Sequence, residues 1–174
     1  MKILFDYKIF YQQKVGGISN YFFNLATEIA KSNHEINLSC PLHKNLYIKK
    51  KNNFKTYGVY FKFLPSIGQK IYENFNHIVT KNLIKNFNPN IIHETYYSEK
   101  KYNSDIKVIC TVYDLINEIF PNNSKNSKKI TELKKITLNR ADKIISISHK
   151  TKEDLVKYLN IDENKIEVTH LSSG

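Results

Sequence analysis

Apolar and polar positions alternate in two rhythms along this chain. Residues 2–6 form a short apolar run that reads as a buried strand. The pair Gly16-Gly17 then leads into Ile18, Tyr21, Phe22, Leu25 and Ile29, spaced as one face of a helix. Residues 35–40 read as a second strand, which Pro41 is expected to end, and the stretch to about Pro65 is polar, rich in lysine and loop-like except for an aromatic strand over 57–63. From 67 to 87 the positions of Ile71, Phe75, Ile78, Val79, Leu83 and Phe87 follow a helical period that Asn88-Pro89 stops, which predicts a long amphipathic helix with this stripe against the core. Further strands are expected over 90–93, 107–112, 143–147 and 165–169, with a helix over 127–141. Another helix should start at Thr151, where Thr-x-x-Asp has the spacing of a capping box. Strands alternating with helices predict an α/β domain: a doubly wound, mostly parallel sheet with helices on both faces. Ligands in such folds gather beyond the carboxyl ends of the strands, so the residues just after each strand are the ones to watch.

With 174 residues there is room for one domain with a real core, and residues 1–174 are taken as one. No segment has the run of apolar residues that a membrane span or an export signal needs, and Cys40 and Cys110 sit inside apolar runs without a partner at metal or redox spacing. Both read as core residues of a cytoplasmic protein. The formal charge of +11 comes from 27 Lys plus Arg against 16 Asp plus Glu, and Arg140 is the sole arginine. Sequence-specific nucleic-acid readers rely on the arginine fork, so its scarcity argues against nucleic acid as a partner. A cationic face for an anionic lipid surface or a phosphorylated substrate is the sharper reading, and a plain compositional excess of lysine the blander one. The histidines show no zinc-ligand spacing, and no metal is expected.

Gly16-Gly17, between a strand and a helix, can bring bare amides to an anion, with the helix N-terminus adding positive potential; alternatively the pair only makes a turn that needs positive φ. It lacks the spacing of a dinucleotide fingerprint and the Lys-Ser/Thr of a P-loop, which demotes nicotinamide enzymes and NTPases. Three post-strand segments add polar groups: His93 to Tyr97, Thr111 to Ile116, and Ser146 to Lys152. In the order Gly-Gly-Ile-Ser-Asn-Tyr, the Thr-Val-Tyr-Asp-Leu run followed by Phe120-Pro121, and Arg140-Ala-Asp-Lys-Ile-Ile ahead of Ser-Ile-Ser, the chain resembles the N-terminal domain of family 4 glycosyltransferases of the GT-B fold.

That resemblance implies a Rossmann-like domain. It also implies a retaining, metal-independent hexosyltransferase that uses a nucleotide-sugar donor and a glycan or lipid-linked acceptor, with surface polysaccharide biosynthesis as its setting. Gly16 and Gly17 match the glycine pair that faces the donor's diphosphate and sugar. Tyr113 stands where many relatives carry a histidine near the reacting centre, and Asp114 matches the neighbouring acid, with a local loop cap as its other reading. A tyrosine can hydrogen-bond a sugar hydroxyl but shuttles protons poorly at neutral pH. His93 matches a cleft-lining position or is a histidine packed at a strand end. Ser148 and Lys150 match the segment after Ser-x-Ser, where Ser148 alternatively caps a helix. The donor's nucleotide would be held mainly by a second, C-terminal domain with a Glu-x7-Glu motif, a spacing these residues lack, so the 174-residue chain alone is expected to be inactive. A non-catalytic α/β subunit that works with a partner carrying the donor domain is the competing class. Peripheral contact with the inner face of the membrane, through the basic helix over 67–87, is a further expectation.

Overall fold

The computed structural model describes residues 1–63, 68–102, 105–122 and 124–171. They fall into two compact units, 1–95 with 102–106, and 96–101 with the chain from 107 onward.

In the first unit the apolar runs become strands β1 (Lys2–Phe5), β2 (Glu35–His43), β3 (Lys55–Tyr60) and β4 (Ile91–Glu94), all paired in parallel in the order β3-β2-β1-β4. Helices α1 (Lys8–Gln12), α2 (Gly17–Ile29) and α3 (Gln69–Phe87) connect them. Side chains alternate across the sheet, so β1 faces both ways. Leu4 joins Ile84, Phe87, Ile92 and Tyr102 on the α3 side, while Phe5 meets Phe22 of α2 and stacks on His93. Helices thus cover both faces, as expected for this Rossmann-like α/β arrangement. The one-turn helix α1 was not expected, because five residues are too few to show a period.

Two expectations fail for one shared reason. Pro41 does not end β2, which continues to His43, because the pairing with β3 shifts register between Ser39 and Leu42 and the proline sits inside that irregularity. The bulge leaves backbone groups without strand partners, and α3 supplies them. Asn76 accepts from the Leu42 N–H at 2.7 Å and donates to the Leu42 carbonyl at 3.1 Å, and the Thr80 and Ser39 hydroxyls lie 2.7 Å apart. α3 therefore turns Asn76, Thr80, Ile84 and Phe87 inward: of the stripe that the period predicts, Ile71, Phe75 and Ile78 face solvent, while Phe87 is buried and Leu83 packs against the core. Gly58 lies beside the same irregularity, where a Cβ would overlap the Cys40 carbonyl. The inward stripe of α2 is likewise rotated, to Ser19, Phe22, Phe23 and Ala26. The expected helix start at Ile67 lies outside the described residues, as do residues 172–174.

The second unit holds strands β5 (Lys107–Val112), β6 (Lys143–Ser146) and β7 (Ile166–Val168), parallel in the order β5-β6-β7. One helical turn, α4 (Ile116–Ile119), precedes α5 (Ser127–Arg140), and α6 (His149–Leu159) follows β6. Val112, Leu138, Ile144 and Leu155 centre its core. α6 starts before the expected capping box, with Ser148 as its N-cap. Among the described residues no helix is long and apolar enough to cross a membrane.

Candidate functional site

The carboxyl ends of β1 and β4 are tied together by Asp6. Its carboxylate accepts from the Thr95 N–H at 2.8 Å, the Thr95 hydroxyl at 2.6 Å, the Lys8 N–H at 3.3 Å and the Tyr102 hydroxyl at 3.3 Å. Burial raises the acid's pKa, against the opposing pull of the Thr95 and Lys8 hydrogen bonds. Thr95 in turn accepts from the Ile9 N–H at 3.0 Å, which fixes α1 to the end of β4. Lys8 forms an ion pair with Glu73 of α3. Sequence reading passed over this brace, although a lone acid closing an apolar strand run was its available signal.

α1 delivers the chain to the glycine loop. The Gln13 carbonyl accepts from the buried Asn45 amide at 2.8 Å, the Lys14 carbonyl accepts from the Leu46 N–H at 2.9 Å, and the Gln13 side chain accepts from the Ser19 N–H at 3.2 Å. Ser19 donates its hydroxyl to the Gly16 carbonyl at 3.0 Å. Gly16 has φ 176° and ψ 158°, extended backbone open to any residue, so positive φ does not explain the pair. A Cβ on Gly16 would meet the Gln13 side chain, which can move aside. A Cβ on Gly17 would meet nothing within 4 Å. Gly17 opens α2 as bare, exposed backbone where the helix dipole is positive, an arrangement suited to an anion. His93 lies in the same unit, stacked on Phe5 with ring centroids 5.4 Å apart and edge-on to Phe22 at 5.0 Å. Burial pulls its pKa down to about 3, so the ring is neutral at physiological pH and packs beneath α2.

In the second unit Tyr113 is half-buried and Asp114 exposed, both just beyond β5. The Asp114 carboxylate accepts from the Ile116 N–H at 3.1 Å, which makes the local loop cap. Lys134 donates to the Asp114 carbonyl oxygen at 2.8 Å and pairs with Glu118 at 2.6 Å, the two charged side chains being 1% and 2% exposed. Thr131 completes Glu118 at 2.8 Å, and the Lys134 ammonium lies 5.3 Å from the Tyr97 ring centroid. This buried pair holds the loop that carries Tyr113 and Asp114. It too escaped sequence reading, although Lys134 occupies the inward stripe of α5 with Ile130, Thr137 and Leu138. Beyond β6, Ser148 accepts from the Thr151 N–H at 3.1 Å as a helix cap. Lys150 is exposed and reaches Asp154 at 2.9 Å, a contact that raises its pKa. The structure thus groups Gly16, Gly17 and His93 in one unit and Tyr113, Asp114, Ser148 and Lys150 in the other.

Comparison with known proteins adds identity to this geometry. No curated protein sequence matches. Among solved structures, the chain is similar to a lipopolysaccharide outer core galactosyltransferase, WaaB, in its apo form, at 17% identity and TM-score 0.60, covering 99% of this chain and 46% of that one. Sucrose-phosphate synthase from Thermosynechococcus elongatus superposes at 13% identity and TM-score 0.73, covering 99% and 48%. UGT89C1 of Arabidopsis thaliana, complexed with UDP-L-rhamnose, does so at 12% identity and TM-score 0.57, covering 97% and 51%. The chain spans about half the length of each. At these identities the likeness is one of fold. The sequence pattern described as Glycosyltransferase Family 4, however, matches residues 15–171, from the glycine loop past the last strand, and the chain belongs to that family.

Proposed function

We propose that this chain is the N-terminal, acceptor-side half of a retaining hexosyltransferase. It takes a nucleotide-sugar and glycosylates a glycan or a lipid-linked acceptor in the making of a surface polysaccharide. The observation that carries this reading is Gly17, bare and open at the N-terminus of a 13-residue helix, within the stretch that matches the family. When the sugar leaves, negative charge grows on the diphosphate, and amides and dipole fixed beforehand lower the energy of that state. Asp6, Thr95 and Asn45 do the fixing, since they hold α1 and the loop to the sheet. Tyr113 stands on a loop held in place by Lys134, with its hydroxyl oxygen buried. The relative complexed with UDP-L-rhamnose supports a nucleoside-diphosphate sugar as the donor class.

Glycine amides supply only part of the stabilisation such a step needs, so a second domain bearing Glu-x7-Glu completes the site and this half alone does not turn over. Two measurements test the reading. The coding frame should continue past Gly174 into that motif, and a stop codon there would point to a partner-dependent subunit. The 174-residue chain should release no UDP from UDP-sugars, and steady release would overturn the half-site account.

A further inference from the structure

The two glycines of the loop lack side chains for different reasons. A Cβ on Gly17 would meet nothing within 4 Å, whereas a Cβ on Gly16 would lie 2.4 Å from Oε1, 2.6 Å from Cδ and 3.0 Å from Nε2 of Gln13. The extended backbone of Gly16 asks for no glycine, so what its bareness does is admit the Gln13 amide group. Gln13 itself lies just ahead of residues 15–171, the stretch that matches the family. Its backbone is held on both sides: the N–H donates to the Ile9 carbonyl at 2.8 Å, and the carbonyl accepts from the Asn45 amide at 2.8 Å. Only the side chain is left to swing.

That side chain does the work of a helix cap. With Gly16 as the N-cap of α2, Ser19 is the third helical residue, and its N–H is one of the orphan donors that an N-cap side chain ordinarily satisfies. Gly16 has no side chain to offer, and Gln13 supplies the oxygen from three residues upstream, accepting from the Ser19 N–H at 3.2 Å. The N–H groups of Gly17 and Ile18 likewise precede the first intrahelical bond, which runs from the Asn20 N–H to the Gly16 carbonyl at 3.0 Å. Three successive donors thus open α2, and a neutral amide oxygen holds one of them. A neutral oxygen competes poorly there, because a phosphate oxygen carries charge toward the positive end of the helix and makes bonds about twice as strong. With its backbone pinned at Ile9 and Asn45, Gln13 can give way without moving the loop. We infer that Gln13 is an internal cap of α2 that the donor's diphosphate displaces, so that competition with this side chain sets how tightly the glycine loop holds its anion. This rests on the transferase reading proposed above.

The test sets stability against affinity in the full 174-residue chain, with UDP as the probe and uridine as the control that lacks the diphosphate. Gln13→Ala loses the cap, so Tm should fall by about 2–4 °C. UDP then has nothing to displace and should bind about fivefold more tightly. Gln13→Glu puts a carboxylate on the same N–H, so Tm should rise while UDP binds about tenfold more weakly, and uridine should respond to neither change. Gly16→Ala should cost stability in the wild-type background and less once Gln13 is alanine. In amide spectra of the wild-type chain, the Ser19 N–H and the Gln13 side-chain NH2 should shift together as UDP is added. Tm and UDP affinity that fall together in Gln13→Ala overturn the inference, since Gln13 would then hold the anion or only the fold. UDP affinity that neither variant changes overturns it as well and leaves the glycine-loop reading standing, whereas no UDP binding by any of the three forms overturns both.

Discussion

The strand ends of the two units use their polar groups differently. In the first unit the side chains turn inward: Asp6 and Thr95 brace the sheet, His93 packs as a neutral ring, and what remains open is the backbone of Gly17. In the second the side chains stay near the surface but are committed locally, Asp114 and Ser148 as caps, Lys150 to Asp154, and Lys134 to Glu118. Under the function proposed above, the first unit meets an anion with main-chain amides positioned by buried side chains, not with charged side chains. In the second unit Tyr113 rides on a loop whose geometry an ion pair dictates.

The largest break in this contrast should come from the buried pair. Lys134→Met strands the Glu118 carboxylate away from water, and should lower unfolding free energy by about 3–5 kcal/mol in urea titrations. Lys134→Met combined with Glu118→Leu should recover much of that loss, because removing both charges also removes the burial penalty. No recovery would mean that the hydrogen bond to the Asp114 carbonyl matters more than the charge.

A smaller effect, confined to the first unit, should appear with pH. His93 has its pKa lowered from the ordinary 6.5 to about 3, so the unfolded chain binds a proton that the folded form refuses. Stability is then full above about pH 6.5 and falls toward pH 3, by up to about 1.4 kcal/mol per pH unit for this group. Buried His43, lowered to about 4, acts in the same direction, whereas Asp6, raised by burial, acts in the opposite one. His93→Phe should therefore flatten the decline of Tm between pH 6.5 and about 4 without abolishing it. An unchanged slope would place the acid sensitivity elsewhere. Smaller still, Ser148→Ala should cost about 1 kcal/mol as a lost cap, and Ser148→Asp should restore it.

Much of the fold could be read from the sequence because strands and helices with a buried face impose their periods on it. The parallel α/β rhythm and the glycine loop were legible for that reason. The inward face of α3 was not, since the bulge at Pro41 called for an amide and a hydroxyl where the period offered Ile and Phe. A register shift leaves no local signature apart from the proline, which pointed to the strand's end instead. Asp6 and Lys134 escaped because their partners, Thr95 and Glu118, are distant in sequence and only the folded chain brings them together. Ser148 and Asp114 were each open to two readings, and the geometry supplies the capping bond in both.

The central claim is that the main chain at Gly17 meets the donor's diphosphate. It is tested most directly by titrating a UDP-sugar into the isotopically labelled 174-residue chain while following the backbone amide resonances. The amides of Gly16, Gly17 and Ile18 should move together as the UDP-sugar is added in large excess, because a second domain supplies most of the nucleotide's contacts. Gly17→Leu, whose Cβ enters open space and spares the fold, should abolish the shifts. Shifts that leave these three amides in place, or that persist unchanged in Gly17→Leu, would contradict it.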